Sequence, residues 1–125
     1  MSDNFDYGTI KSISECDDDN VLGYIVETEN SRIKVTIDNF SSCCEEYGKR
    51  LLHSLTDSDE FIGAQVTSVG WGKDKVTTDP EDASAVVAIQ TSKGLLEVEV
   101  YNYHNGYYPH TVEVEWHGYS DSQEI

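Results

Sequence analysis

Three groups of residues in this 125-residue chain have types and spacing that could do chemistry. They are the adjacent thiols Cys43 and Cys44, the histidines His53, His104, His110 and His117, and the alternating carboxylates Glu97, Glu99, Glu113 and Glu115. A thiol at a helix N-terminus gains acidity because the helix dipole favours an anion there. Glu45 and Glu46 beside the pair work against that, and Cys44, on an apolar stripe, reads as a small packing residue. Zinc needs close ligand pairs such as CxxC, whereas these cysteines could be joined only by distant histidines. A Cys–His nucleophile has no more support. The paired glutamates could act as general acid and base only in an enclosed cleft that separates their pKa values, which a strand face does not provide. Asp17-Asp18-Asp19 reads as a turn rather than a calcium loop. No enzyme activity, cofactor or metal is expected.

The elements that must position these residues begin with a meander. Tyr7 to Ser14 reads as a strand, and Asp17 to Asn20 as a turn whose side chains can bond nearby backbone. Val21 to Glu27 and Arg32 to Asp38 follow as strands, the latter with Ile33, Val35 and Ile37 on one face and Arg32 and Lys34 on the other. Ser42 and Glu45 then fit a capping box, so a helix is expected from about Cys43, with Cys44, Tyr47, Leu51 and Leu55 as its buried stripe and Leu52 beside them. Gly48 would cost that helix roughly 1 kcal/mol relative to Ala, so packing or a close approach should require it.

Residues Gln65 to Trp71 read as a strand with Val66 and Val69 inward across an irregularity near Gly70. Lys73 to Asp82, with Asp79-Pro80, reads as an exposed loop. Ser84 to Thr91 and Leu95 to Tyr103 are two further strands joined by Ser92-Lys93-Gly94. The last strand runs from about Thr111 to His117, and about 119–125 reads as a frayed acidic tail. The expected fold is α+β, a single domain over 1–125: an antiparallel sheet of roughly seven strands, curved or partly closed, with one main helix packed on it.

Asn105-Gly106 is a two-residue turn signal, but face parity opposes a tight hairpin there. Leu96, Val98 and Val100 would meet Val112, Val114 and Trp116 only across an odd-length loop or a bulge. Any register that unites these rows sets Glu97 and Glu99 across from, or diagonal to, Glu113 and Glu115, where like charges repel. Such a face would bind a basic partner that relieves the repulsion. Its bland alternative is a solvated strand face neutralised by Arg32, Lys34 or water. Tyr101, Tyr103, Tyr107, Tyr108, Tyr119 and Trp116 add aromatic area of the kind enriched at interfaces, so a homodimer or partner patch is expected near the last hairpin, with ordinary edge packing as the alternative.

Charge narrows the partners. Asp and Glu number 24 against 8 Lys and Arg, a formal net charge of −16, which repels phosphate backbones and anionic membranes. Direct nucleic-acid or membrane binding is therefore not expected. Three cysteines, Cys16, Cys43 and Cys44, lack the spacing of a secreted disulfide framework and read as reduced thiols. With no basic or apolar leader at Met1 to Asp6 and no run long enough to span a bilayer, a soluble intracellular protein is expected.

Cys43-Cys44-Glu45 at a helix start, with Asn105-Gly106-Tyr107-Tyr108 before a final strand, resembles an uncharacterised family of small proteins from bacteriophages and large DNA viruses of the marseillevirus type. The resemblance spans about Asp38 to Gly118. Phe61-Ile62-Gly63 stands where that family has an apolar-Gly element, and Val100 to His104 departs from its Trp-x-Gly segment. The resemblance implies a viral accessory or virion-associated protein, in the host cell or packaged in the virion. The combined expectation is a non-enzymatic, homodimeric acidic module that binds a basic host or viral protein through Glu97, Glu99, Glu113, Glu115 and the tyrosines. Its rivals are a DNA mimic competing for a basic target, a purely structural virion component, and a Cys-dependent enzyme.

Overall fold

The computed structural model describes residues 5–39, 46–53, 57–79, 82–103 and 110–125. Nine antiparallel strands build two sheets: β1 (Ile10–Glu15), β2 (Val21–Thr28), β3 (Arg32–Asp38), β4 (Glu46–His53), β5 (Val66–Asp79), β6 (Asp82–Thr91), β7 (Gly94–Tyr103), β8 (Thr111–Trp116) and β9 (Tyr119–Glu124). One sheet has the order β1-β2-β3-β8-β9 and the other β4-β7-β6-β5. Their inner faces share one core. Val26, Ile33, Val35, Ile37, Val112 and Val114 from the first sheet join Val87, Ile89, Leu96, Val98 and Val100 from the second. A two-layer β architecture follows, because each sheet can hide its apolar row only against the other.

The N-terminal meander forms as the alternation predicts. Asp18 closes its first turn by accepting the Asn20 and Val21 N–H groups at 2.7 and 2.9 Å. Those two bonds hold its carboxyl below the ordinary aspartate range.

The expected main helix is absent, and with it the α+β class. Residues Glu46–His53 are a strand paired residue for residue with β7, from Glu46 opposite Tyr103 to His53 opposite Leu96. The reason lies in the spacing that suggested a helix. Tyr47 and Leu51 stand four apart, close to one helical turn but also two full periods of a strand, so both pack inward either way. Gly48 has a packing cause, as expected, but in a strand. A Cβ there would lie 2.9 Å from the Tyr101 hydroxyl, and Tyr101 is its cross-strand partner. The only helical element among the described residues is a 3-10 turn at Ser58–Phe61, begun by a capping box between Asp57 and Glu60.

Two more expectations change. Residues 73–79 and the backbone from Asp82 belong to β5 and β6 rather than to a loop; β5 absorbs its polar sequence through several register shifts along β6. One shift, between Val66 and Ser68, lets Val66 and Val69 both face the core despite opposite parity. Residues 119–124 do not fray: they pair along β8 as β9, which is turned by His117-Gly118 with Gly118 at φ 72°, a conformation open to glycine at no steric cost. Ile125 then buries its side chain and exchanges both main-chain hydrogen bonds with His110 at 2.9 Å.

Candidate functional site

The four glutamates do not come together. β7 and β8 are not hairpin partners: β7 lies between β4 and β6, whereas β8 lies between β3 and β9. Each glutamate alternates with buried residues of the shared core, so Glu97 and Glu99 project from the outer face of the four-stranded sheet and Glu113 and Glu115 from the opposite outer face. The conflict of parity between β7 and β8 is resolved by a crossing between sheets rather than by a bulged hairpin.

On the four-stranded face Glu99 has a cation beside it, while Glu97 has Leu52 and Ala88 across from it. Arg50 contacts Glu99 at 2.6 Å and lays its guanidinium 4.3 Å from the Tyr101 ring centre, the same ring that covers Gly48. The five-stranded face is graded. Its cations sit on β3, with Arg32 opposite Glu27 and Lys34 opposite Glu115. Glu113 lies between Thr36 on β3 and Ser122 on β9, with no cation directly opposite. Here the surface forms a groove of about 480 Å³ lined by Lys34, Glu113, Glu115, Ser120, Asp121 and Ser122 among others. Arg32 and Lys34 thus stand across from carboxylates on the β3 side, whereas Glu113 has neutral residues across from it on both sides.

The interior holds a polar cluster that sequence reasoning missed. His110, 2% exposed, stacks on Tyr47 with ring centres 4.1 Å apart. Its Nδ1 faces the Asp38 carboxylate and, at 3.1 Å, the Asp38 carbonyl. Both are acceptors, which assigns the Nδ1 proton and makes His110 the donor. The other Asp38 oxygen accepts the Thr111 N–H at 2.7 Å, Tyr47 donates to Asn39 at 2.7 Å, and Asn102, buried in β7, donates to the Ile125 carbonyl at 2.9 Å. The cluster ties β3, β4, β7, β8 and the end of β9 together. Its members range from the buried His110 and Asn102 to the half-buried Asp38, Asn39 and Tyr47. The available signal was His110 just before an apolar strand.

A second junction joins the sheets. Lys49 of β4 reaches Glu15 at 2.8 Å and Asp17 at 3.0 Å and lies 4.8 Å above the Tyr24 ring centre. Burial pushes the Lys49 pKa down, but hydrogen bonds to Glu15 and Asp17 push it up, and the net is a rise. Burial raises the Tyr24 phenol.

Of the expected aromatic patch, Trp116 stacks on Tyr119 with centres 4.4 Å apart, and Trp71 donates to the Tyr119 hydroxyl at 2.9 Å. Those faces are used within the chain. Tyr103 ends β7. Cys43, Cys44, Glu45, Asn105, Gly106, Tyr107 and Tyr108 lie outside the described residues, as does the capping box expected at Ser42. Among the described residues no group of three or more His, Cys, Asp or Glu could hold a metal ion, and no helix is long and apolar enough to cross a membrane.

Residues 8–114 match the family described as a domain of unknown function, DUF7448. The chain belongs to this family. The match runs from just before β1 into β8, so it includes the four-stranded sheet, β1 to β3, His110 with Asp38, Tyr47 and Asn102, and Glu113, while Glu115, β9 and Ile125 lie beyond it. Searches of the curated proteins and of the solved structures found no match.

Proposed function

We propose that this DUF7448 domain is a non-enzymatic acidic module that binds a basic protein through the outer face of its five-stranded sheet. The observation that carries this reading is the groove beside β8 and β9, where Glu113 and Glu115 share their face with a single described lining cation, Lys34. Charge of this kind steers a cationic partner and sets specificity more than raw affinity. The resemblance to phage and large-DNA-virus proteins suggests a viral accessory or virion-associated role, with a host or viral protein as the target.

The test compares partner capture by the wild type, by E113Q/E115Q and by E97Q/E99Q. A salt-sensitive basic partner lost only in E113Q/E115Q supports the reading, because the two pairs occupy opposite faces. An identical partner list in all three overturns it. Release of the captured partner by duplex DNA would mark the domain as a DNA mimic within the same reading.

A further inference from the structure

We infer that the free edge of β9 receives an extended basic segment of the partner by strand addition. This deepens the acidic-face reading and rests on it. β9 is the outer strand of its sheet, and its register with β8 is unbroken from Trp116 opposite Tyr119 to Thr111 opposite Glu124. The mutual bonds of His110 and Ile125 identify that pair as hydrogen-bonded. Alternation along an antiparallel ladder then makes Ser120, Ser122 and Glu124 the residues whose N–H and C=O groups point away from β8. The Ser122 N–H bears this out by turning to the Asp121 side chain at 2.9 Å instead of to β8. Edge groups of this kind are a template for another strand.

The other three edges fit less well. β1 is broken by a register shift between Ile10 and Ser12, β5 carries four shifts, and β4 carries Lys49 and Arg50. Along β9 every side chain is exposed except the half-buried Gln123.

Charge selects the occupant. Ser120 and Ser122 lie directly across from Glu115 and Glu113 and so share their face. A strand added beside β9 would run about 10 Å from β8, two interstrand spacings away, so its Lys or Arg side chains on that face reach the glutamates. A second copy of the chain would instead bring together two β9 strands that each carry Asp121 and Glu124, on molecules of net charge −16 each, which repels.

The experiment titrates a capped octapeptide alternating Lys and Thr into the full chain and reads amide hydrogen exchange and affinity. Slowed exchange at Ser120 and Glu124 is expected, with affinity falling at least tenfold in S122P, where proline removes an outward donor that the native ladder does not use. Exchange in the wild type decides the question even if S122P is destabilised. Binding without protection at Ser120 and Glu124 overturns strand addition; if E113Q/E115Q still weakens that binding, the acidic-face reading stands. No binding at millimolar peptide overturns both.

Discussion

At the scale of single residues, the most consequential side chain is Asp38. It ends β3 and satisfies two donors at the start of β8, the His110 ring and the Thr111 N–H. Asp38→Ala removes the carboxylate from both donors and leaves the buried His110 ring the Asp38 carbonyl at 3.1 Å. The loss should cost about 2 kcal/mol, the scale of hydrogen bonds to a charged group, read as a lower urea midpoint at unchanged slope. A loss under about 0.5 kcal/mol, the level of an ordinary surface substitution, would show that the pair contributes little. Glu99 and Glu113 show how identical residues diverge. One meets Arg50 at 2.6 Å, while the other has Thr36 and Ser122 as its cross-strand neighbours. Alternation placed both outward but could not distinguish them, since their cross-strand partners come from segments distant in sequence.

At the scale of elements, β4 is held over the first sheet by Lys49, which has Glu15, Asp17 and the Tyr24 ring around it. The folded-state pKa values of Lys49 and Tyr24 are both raised. Their contribution is therefore intact below the unfolded values, near pH 10, and is lost as pH climbs through the folded values. Urea midpoints should hold to about pH 9 and fall by about pH 11, and the fall should be shallower in K49M/Y24F. Equal declines in both proteins would assign the alkaline loss to other groups. β4 also shows why an element type was misread. Four-residue spacing satisfies a helix and a strand alike, and the Gly48 that a helix resists is welcome in a strand where Tyr101 covers it.

For the whole molecule, a net charge of −16 on 125 residues means that self-repulsion opposes folding. Raising ionic strength from about 10 mM to about 150 mM shortens the screening length from roughly 30 to 8 Å. The melting temperature should therefore rise by several degrees, as expected for a gain of about 1 kcal/mol in a domain this size. A fall would show that ion pairs such as Lys49 with Glu15 outweigh the diffuse repulsion. The same charge sets the sign of the proposed partner.

The sequence alone determined the meander, its Asp18 turn, the inward rows of β3, β7 and β8, and the acidic surface. Each depends on alternation, turn chemistry or composition, which are local. Tertiary structure decided that Glu46–His53 is a strand, that 119–124 is a ninth strand, and that β7 and β8 belong to different sheets. These outcomes share a cause. A polar or ambiguous segment becomes a strand when a neighbour offers main-chain partners: β7 does so for β4, and β8 does so for β9. Because β3 pairs with β8 across a long stretch of chain, parity could show that a tight turn between β7 and β8 fails, but not that the chain crosses from one sheet to the other.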